Sequence, residues 1–268
     1  MSTHTVFHPH AAQMDLPGIR EVTFDQPFRW LRDGASDLIK AWPLSLFYGV
    51  VYALLGYGLV HAAEARPHLA MALISGFVFV GPVLATVFYC LSHRLEHHHK
   101  LPKLFVPLLS WRANPGSLGL FAVMLLFVLI SWERLSAILV ALFFNGTGIS
   151  GLSDLVSVNA VQQHTDFVLV YLAFGAVLAL LMFSLSVVSL PMMLHRKVDF
   201  ATALVTSFMA TRLNFPVMLL WAALIAVLVA IGMATNFIAM AVIFPWLGHA
   251  SWHAYRELVE REQAWARE

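Results

Sequence analysis

The sequence predicts an all-α membrane protein in which six transmembrane helices form three pseudo-repeats, each made of an in-plane amphipathic helix and two spans. Three observations lead to this fold class: the composition, six long apolar stretches and the positions of the basic residues. Of the 268 residues, 60% are hydrophobic and only 12% are charged, whereas a soluble domain carries about 25% charged residues. A chain with so little polar surface is expected to have lipid as its solvent.

Six stretches are apolar over most of the roughly 20 residues that a helix needs to cross the hydrocarbon layer. In chain order they are Trp42–Ala63, Leu69–Leu91, Leu118–Phe144, Phe167–Leu194, Pro216–Ala234 and Phe237–Tyr255. Helix is favoured over strand because lipid offers no hydrogen-bond partner to an unpaired backbone group. Only Thr235 and Asn236 separate the last two stretches, which are therefore expected to form a tight helical hairpin.

Lysine and arginine concentrate in alternate connections, and this pattern gives the orientation. Fourteen of the 16 lie before the first span, between the second and third, between the fourth and fifth, or after the sixth. Arg66 lies in an opposite connection, and Arg134 lies within or near the third span. Because cytoplasmic loops carry the excess of positive charge, the chain is expected in a bacterial inner membrane with both termini in the cytoplasm.

Internal similarity predicts the three repeats within one transmembrane domain, residues 25–260, flanked by flexible cytoplasmic tails at residues 1–24 and 261–268. The similar segments are Phe28–Pro43, Leu101–Pro115 and Phe200–Pro216. Each mixes apolar and polar residues and ends in a proline at the start of a span, where the missing N–H of proline costs nothing. Such segments are expected to lie in the headgroup plane or beneath the bundle.

Histidines gather at the predicted cytoplasmic ends of the even-numbered spans. The candidate ligands of a metal or haem are His249, His253, His93, His97, Glu96 and His195. His249 and His253 are four residues apart, as are His93 and His97, and this spacing places two ligands on one helix face. A transition metal or haem iron would suit such a cluster. Interfacial packing and hydrogen bonding is the alternative role for the same side chains.

Charged and kink-forming residues within the spans allow two interpretations. Glu133 and Arg134 interrupt the third span, either as an outer-interface pair that snorkels to the headgroups or as an ion-path or substrate-gating pair inside the bundle. Pro82, Pro191 and Pro245 are each expected to kink a span. Broken helices often line substrate sites in transporters, but kinks are also ordinary in membrane helices.

Three motifs stand out. They are Gly81–Ala85 followed by Tyr89, Leu91 and Arg94; Val187–Leu194 followed by Arg196 and Val198–Asp199; and Pro245–Arg256. Together they resemble a bacterial integral-membrane family, domain of unknown function 2189, over roughly the whole chain after Leu16. The resemblance implies a multi-span inner-membrane protein. Some members are labelled as cytochrome c oxidase subunits, which implies at most an accessory or assembly role, and the family has no agreed catalytic residues to carry over.

Three functions remain open from the sequence. The first is a non-enzymatic component, accessory to a respiratory oxidase or another membrane complex, whose partners are the lipid bilayer and another subunit or a second copy of the chain. The second is a small-molecule or metal transporter. The third is a haem- or metal-binding membrane protein with a cytoplasm-side histidine cluster. No nucleic-acid partner is expected. Enzymatic activity is disfavoured, because the sequence has no nucleotide-binding glycine loop, zinc-protease helix or nucleophile elbow.

Overall fold

Helices make up nearly all of the regular structure. The computed structural model describes residues 6–7, 16–64, 67–97, 102–144 and 165–260. The helices are α1 (Gln26–Lys40), α2 (Trp42–Glu64), α3 (Pro67–Leu84), α4 (Thr86–His97), a 3-10 helix (Pro107–Ala113), α5 (Pro115–Phe143), α6 (Thr165–Ser186), α7 (Ser189–His195), α8 (Phe200–Leu213), α9 (Phe215–Ala234) and α10 (Met240–Leu258). Two short strands, β1 (Val6–Phe7) and β2 (Ile19–Arg20), pair antiparallel. The predicted all-α class is confirmed.

Five helical segments in the described ranges are long and apolar enough to cross a membrane. They are Trp42–Ala62, Gly76–His97, Pro115–Phe143, Thr165–His195 and Phe215–Ala234. These segments correspond to the first five predicted spans; the second combines parts of α3 and α4, and the fourth combines α6 and α7. The sixth predicted stretch, Phe237–Tyr255, is largely α10, which is helical but is not among the five.

α10 lies inside the bundle, and this position accounts for its different composition. Most of its residues are buried, and it packs against α1, α2, α4 and α9. Polar side chains on α10, such as His249, therefore contact protein, where they find hydrogen-bond partners. A helix enclosed by other helices does not need the uniformly apolar surface of a lipid-facing span.

Glycines allow the neighbouring helices to approach α10 closely. A Cβ atom on Gly34 of α1 would lie 2.6 Å from the backbone nitrogen of Ala250, and one on Gly49 of α2 would overlap the carbonyl oxygen of Ala241. Small residues permit such backbone approach in membrane bundles. The indole of Trp246 adds a hydrogen bond from Nε1 to a carbonyl oxygen of α1 at 2.7 Å. α1 is thus attached along α10.

Two of the three predicted kink sites can be related to a freed backbone carbonyl. A proline has no N–H for the carbonyl group four residues earlier. For Pro191 that carbonyl belongs to Val187, where the helical run breaks between α6 and α7. Pro245 lies within α10 and leaves the Ala241 carbonyl without this partner. The break between α3 and α4 falls at Ala85, three residues after Pro82, and the freed carbonyl does not explain its position.

Residues 16–24, which the sequence assigns to the flexible tail, pack on the bundle. Ile19 is fully buried and bridges to Val259 after α10. Asn214, between α8 and α9, accepts a hydrogen bond from the Val22 amide at 2.8 Å and donates one to the Arg20 carbonyl at 3.0 Å. This part of the segment is therefore held by both its backbone and its side chains. Residues 261–268 lie outside the described part of the chain.

Candidate functional site

Five polar side chains form a continuous chain of hydrogen bonds where α1, α2, α4 and α10 meet. We call them the buried polar chain: Ser45, His249, Ser92, Asp37 and His253. Ser92 Oγ lies 2.7 Å from both Asp37 Oδ2 and His249 Nδ1. His249 Nε2 lies 2.9 Å from Ser45 Oγ, and His253 Nε2 lies 2.9 Å from Asp37 Oδ2. The chain connects four helices through side chains that are distant in the sequence.

The direction of these hydrogen bonds follows from the carboxylate end. An ionised carboxylate only accepts, so the Ser92 hydroxyl donates to Asp37. The Ser92 oxygen is then free to accept from the Nδ1–H of His249. In the neutral ring, Nε2 consequently carries the lone pair and accepts the Ser45 hydroxyl. His249 is fully buried with both ring nitrogens occupied.

Asp37 is a buried carboxylate, with 5% of its surface exposed. Burial by itself would raise the pKa of this carboxyl, but hydrogen bonds from His253 and Ser92 outweigh burial and hold the pKa below its ordinary value. The ammonium group of Lys40 adds a longer contact, 3.9 Å from Oδ1, at the exposed edge. Asp37 is therefore stabilised as the charged member of the buried polar chain.

A second group of polar side chains lies at the end of α4. The ligand atoms of His93, Glu96 and His97 all lie within 4.8 Å of one another, and we call these residues the metal-ligand cluster. His97 Nδ1 lies 3.0 Å from the backbone carbonyl of His93, so it donates and leaves Nε2 with the lone pair. His93 Nδ1 is buried and has no hydrogen-bond partner among the described residues.

Glu96 is oriented by α10. Trp252 Nε1 donates to Glu96 Oε1 at 3.1 Å, and Arg256 Nε lies 3.2 Å from Oε2. The Arg256 guanidinium also lies over the Trp252 ring, 5.9 Å from its centroid. Partners of this kind position a metal-ligating carboxylate from the outer shell. One carboxylate thus connects the metal-ligand cluster to the central helix.

His195, at the end of α7, lies beside this cluster. Its ring centroid is 5.0 Å from that of His93 and 5.5 Å from that of Trp252. His195 Nδ1 is 2.9 Å from the Tyr255 hydroxyl, which also accepts from Arg196 Nε at 3.1 Å. The ends of α4, α7 and α10 therefore meet in one aromatic and imidazole-rich group.

A comparison with known protein families gives a match for the middle of the chain. The family model described as "Predicted integral membrane protein (DUF2189)" matches residues 70–195. The resemblance to domain of unknown function 2189 is confirmed. None of the curated proteins and none of the solved structures compared with the chain matches it. The match makes the chain a predicted multi-pass helical membrane protein.

The family segment covers part of the site. It includes the metal-ligand cluster, Ser92 and His195 at its last residue, together with the first sequence motif and the Val187–Leu194 part of the second. α1, α2 and the helices from α8 to α10 lie outside it. The third motif, Pro245–Arg256, is therefore a feature of this chain beyond the matched residues, although it supplies the partners of Glu96 and Asp37.

The six candidate ligands divide between two places. His93, Glu96 and His97 converge, with His195 beside them. His249 and His253 belong to the buried polar chain, and their hydrogen bonds go to Ser45, Ser92 and Asp37. The equal i, i+4 spacing of the two histidine pairs does not place all four rings at one point.

Glu133 and Arg134 form an ion pair with each other, 3.2 Å between Oε2 and Nε. The Arg134 side chain is 76% exposed. This geometry fits the interpretation as an interface pair, and the Arg134 side chain does not enter the bundle. The rise of about 1.5 Å per residue places Glu133 about 27 Å from the start of α5 at Pro115.

Asp37, Ser45 and Ser92 were not expected as site residues. Their partners lie far away in the sequence, as in the pairs that join Asp37 to Ser92 and to His253. One signal was present: Trp30, Gly34 and Asp37 recur at i, i+4 and i+7 and so share a face of α1. That face packs on α10, with Trp30 fully buried.

Proposed function

We propose that this integral membrane protein binds a divalent transition metal through His93, Glu96 and His97. The observation that carries the proposal is the convergence of their three ligand atoms, together with the buried, unpartnered Nδ1 of His93. Two imidazoles and one carboxylate form a donor set used for zinc and other first-row metals. We infer a non-enzymatic role, with the metal bound at the cytoplasmic end of the second span.

The distances between the ligand atoms are close to those around a bound metal, so a small movement of the side chains would complete the site. Ligand atoms that hold Zn²⁺ at about 2.1 Å in a tetrahedron lie about 3.4 Å apart, compared with the 4.8 Å limit here. His97 is exposed and is the last residue of α4, where side-chain rotation is least hindered, whereas Trp252 and Arg256 already hold Glu96 in place. Three protein ligands would leave one position for water, which suits an exchangeable metal better than a closed structural site.

The test is a metal titration of the purified protein. The chain is prepared in detergent with a tag that contains no histidine, stripped with chelator, and titrated with Zn²⁺ by calorimetry and with Co²⁺ by visible absorption. We expect one metal per chain, and loss of this stoichiometric binding in the His93→Ala/His97→Ala variant. Equal binding by the wild type and this variant would overturn the proposal.

Two control variants make the titration specific. His98 and His99 directly follow the cluster in the sequence, so a His98→Ala/His99→Ala variant tests whether neighbouring histidines account for the binding. His61→Ala changes an exposed histidine whose ring contacts Tyr57 on α2. Both variants are expected to bind one metal. Loss of binding in the first control and retention in His93→Ala/His97→Ala would assign the metal to a different site.

We also propose that the bundle has six spans, with α10 as the sixth, and both termini in the cytoplasm of a bacterium. The distribution of lysine and arginine supports this orientation.

The order of elements supports three pseudo-repeats, since α1, the 3-10 helix and α8 each precede a long apolar helix. The helices that follow have a proline in their first two residues: Pro43, Pro115 and Pro216.

An accessory or assembly role in an oxidase or another membrane complex is a second proposal, which rests on the family resemblance. Isolation in mild detergent tests it, because a stable partner should copurify with the chain. A chain that always migrates alone would count against this role.

The transporter hypothesis receives no support from Glu133 and Arg134. These two side chains pair with each other, and the Arg134 side chain is exposed.

A further inference from the structure

We propose that a groove between α6 and α8 binds one anionic phospholipid, with an acyl chain along α6 and the headgroup on Arg212. The cavity has a volume of about 520 Å³, within the range of about 300–1,000 Å³ for small-molecule sites. This site is separate from the metal-ligand cluster and does not depend on it.

The apolar part of the groove follows one helix face. Val177, Leu181 and Ser184 lie at i, i+4 and i+7 on α6, and thus share a face over about 10 Å of helix length. Phe208 of α8 and Phe215 of α9 line the other side. Val177 is 70% exposed, and Leu181, Phe208 and Phe215 are also exposed. No described part of the chain covers these side chains, so a lipid tail can lie along them.

The groove includes one cation. Arg212 is exposed in the last turn of α8. None of the ion pairs formed by the described residues involves it, so its guanidinium is available to a ligand. In the orientation proposed above, Arg212 lies on the cytoplasmic side, where anionic headgroups attract basic residues. A guanidinium can donate two parallel hydrogen bonds to a phosphate group.

Charge is what distinguishes one lipid class from another at this groove. Every phospholipid brings similar acyl chains, and lipid tails are as apolar as the side chains that they contact. Chain packing therefore gives little preference among headgroups. Because Arg212 forms no ion pair with another described residue, its charge favours an anionic headgroup over a zwitterionic one.

The test uses native mass spectrometry of the full chain released from nanodiscs that contain equal amounts of phosphatidylglycerol and phosphatidylcholine. We expect one tightly retained lipid, with phosphatidylglycerol enriched about fivefold, the factor for one basic residue near an anionic surface. Arg212→Gln should abolish the enrichment. Lys197→Gln removes an exposed cation outside the groove and should retain it.

A second variant separates groove binding from general attraction to the surface. Leu181→Trp fills the groove without a change in charge, and we expect it to lose the retained lipid. Equal retention of the two lipids by the wild type would overturn the proposal. Enrichment that persists in Leu181→Trp would also overturn it, because Arg212 would then attract headgroups without a defined site. An unchanged enrichment in Arg212→Gln would exclude this cation as the determinant.

Discussion

Ser92 joins the two halves of the buried polar chain, because its hydroxyl group contacts both Asp37 and His249. Ser92→Ala would remove the donor to Asp37 and the acceptor of His249 while both remain buried. A buried polar group without a partner costs about 1–3 kcal/mol. We therefore expect the free energy of unfolding to fall by at least about 1–3 kcal/mol, measured by denaturant titration in mixed micelles.

Ser189→Ala is the matched control for this change. Ser189 is as fully buried as Ser92, but its hydroxyl donates to the Leu185 carbonyl of the preceding turn. Removing this bond leaves no side chain of another helix without a partner, so we expect a smaller loss of stability. Equal losses in the two variants would show that the buried polar chain contributes no more than an ordinary buried serine.

The ionisation of Asp37 predicts that the stability of the fold depends on pH. Its folded-state pKa lies below its usual value of 3.8. The ionised carboxylate therefore stabilises the fold above that pH, and the stabilisation is lost as the pH falls through the folded-state pKa. We expect the stability advantage of the wild type over Asp37→Asn to shrink as the pH falls below the usual carboxyl pKa.

Melting temperatures of the two proteins across a pH series measure this difference. The series is read below about pH 5, because His253 hydrogen-bonds to the Asp37 carboxylate only in the wild type, and its own titration nearer neutral pH does not cancel between the two chains. An advantage of the wild type that does not shrink between about pH 4 and pH 2 would contradict the assigned direction of the Asp37 pKa.

α2 and α10 make an unusual contact at the element scale. Pro245 supplies no N–H to the Ala241 carbonyl, and Gly49 of α2 brings its backbone to that same oxygen. A Cα–H group that faces a carbonyl oxygen is a weak favourable contact at helix interfaces. The proline of one helix and the glycine of another thus have one combined role, which is to let the two backbones meet.

Gly49→Ala tests this contact, with Gly58→Ala on the same helix as its control. The new methyl group at Gly49 would overlap the Ala241 oxygen, whereas nothing lies within 4 Å of a Cβ atom at Gly58. Overpacking typically costs about 1–3 kcal/mol, and we expect that loss for Gly49→Ala. Gly58→Ala should be neutral or stabilising by up to about 1 kcal/mol, from helix propensity. A similar effect at both positions would exclude close approach as the reason for Gly49.

How much the sequence could predict depends on whether a feature is local. Apolar length and proline position are local, and they predicted the first five spans to within a few residues, except that the second segment continues past the predicted end at Leu91 to His97. The enclosed position of α10 is not local, because it results from contacts such as that between Gly34 and Ala250. The same limit applied to Asp37, whose partners Ser92 and His253 are 55 and 216 positions away.

The whole molecule brings both polar groups to one end of the bundle. Ser92 and His93 are neighbours on α4, yet the first belongs to the buried polar chain and the second to the metal-ligand cluster. On α10, His253 contacts Asp37 and the adjacent Trp252 contacts Glu96. The hydrogen bonds at this end therefore connect α1 and α4 to α10. Whether α10 crosses the membrane as a sixth span is the central question of topology.

Single-cysteine labelling decides that direction. Cys90 is the one cysteine of the sequence, so a Cys90→Ser background allows one new thiol at a time. Ile238, between α9 and α10, is 79% exposed, and Asp166 and Lys197 are exposed near the two ends of the fourth span.

With six spans, an impermeant maleimide added to spheroplasts should label Asp166→Cys and Ile238→Cys. Lys197→Cys and Ala264→Cys should react only after permeabilisation, because the positive-inside rule places them in the cytoplasm. Labelling of Ala264→Cys from outside would place the carboxyl end outside the cell and leave five spans.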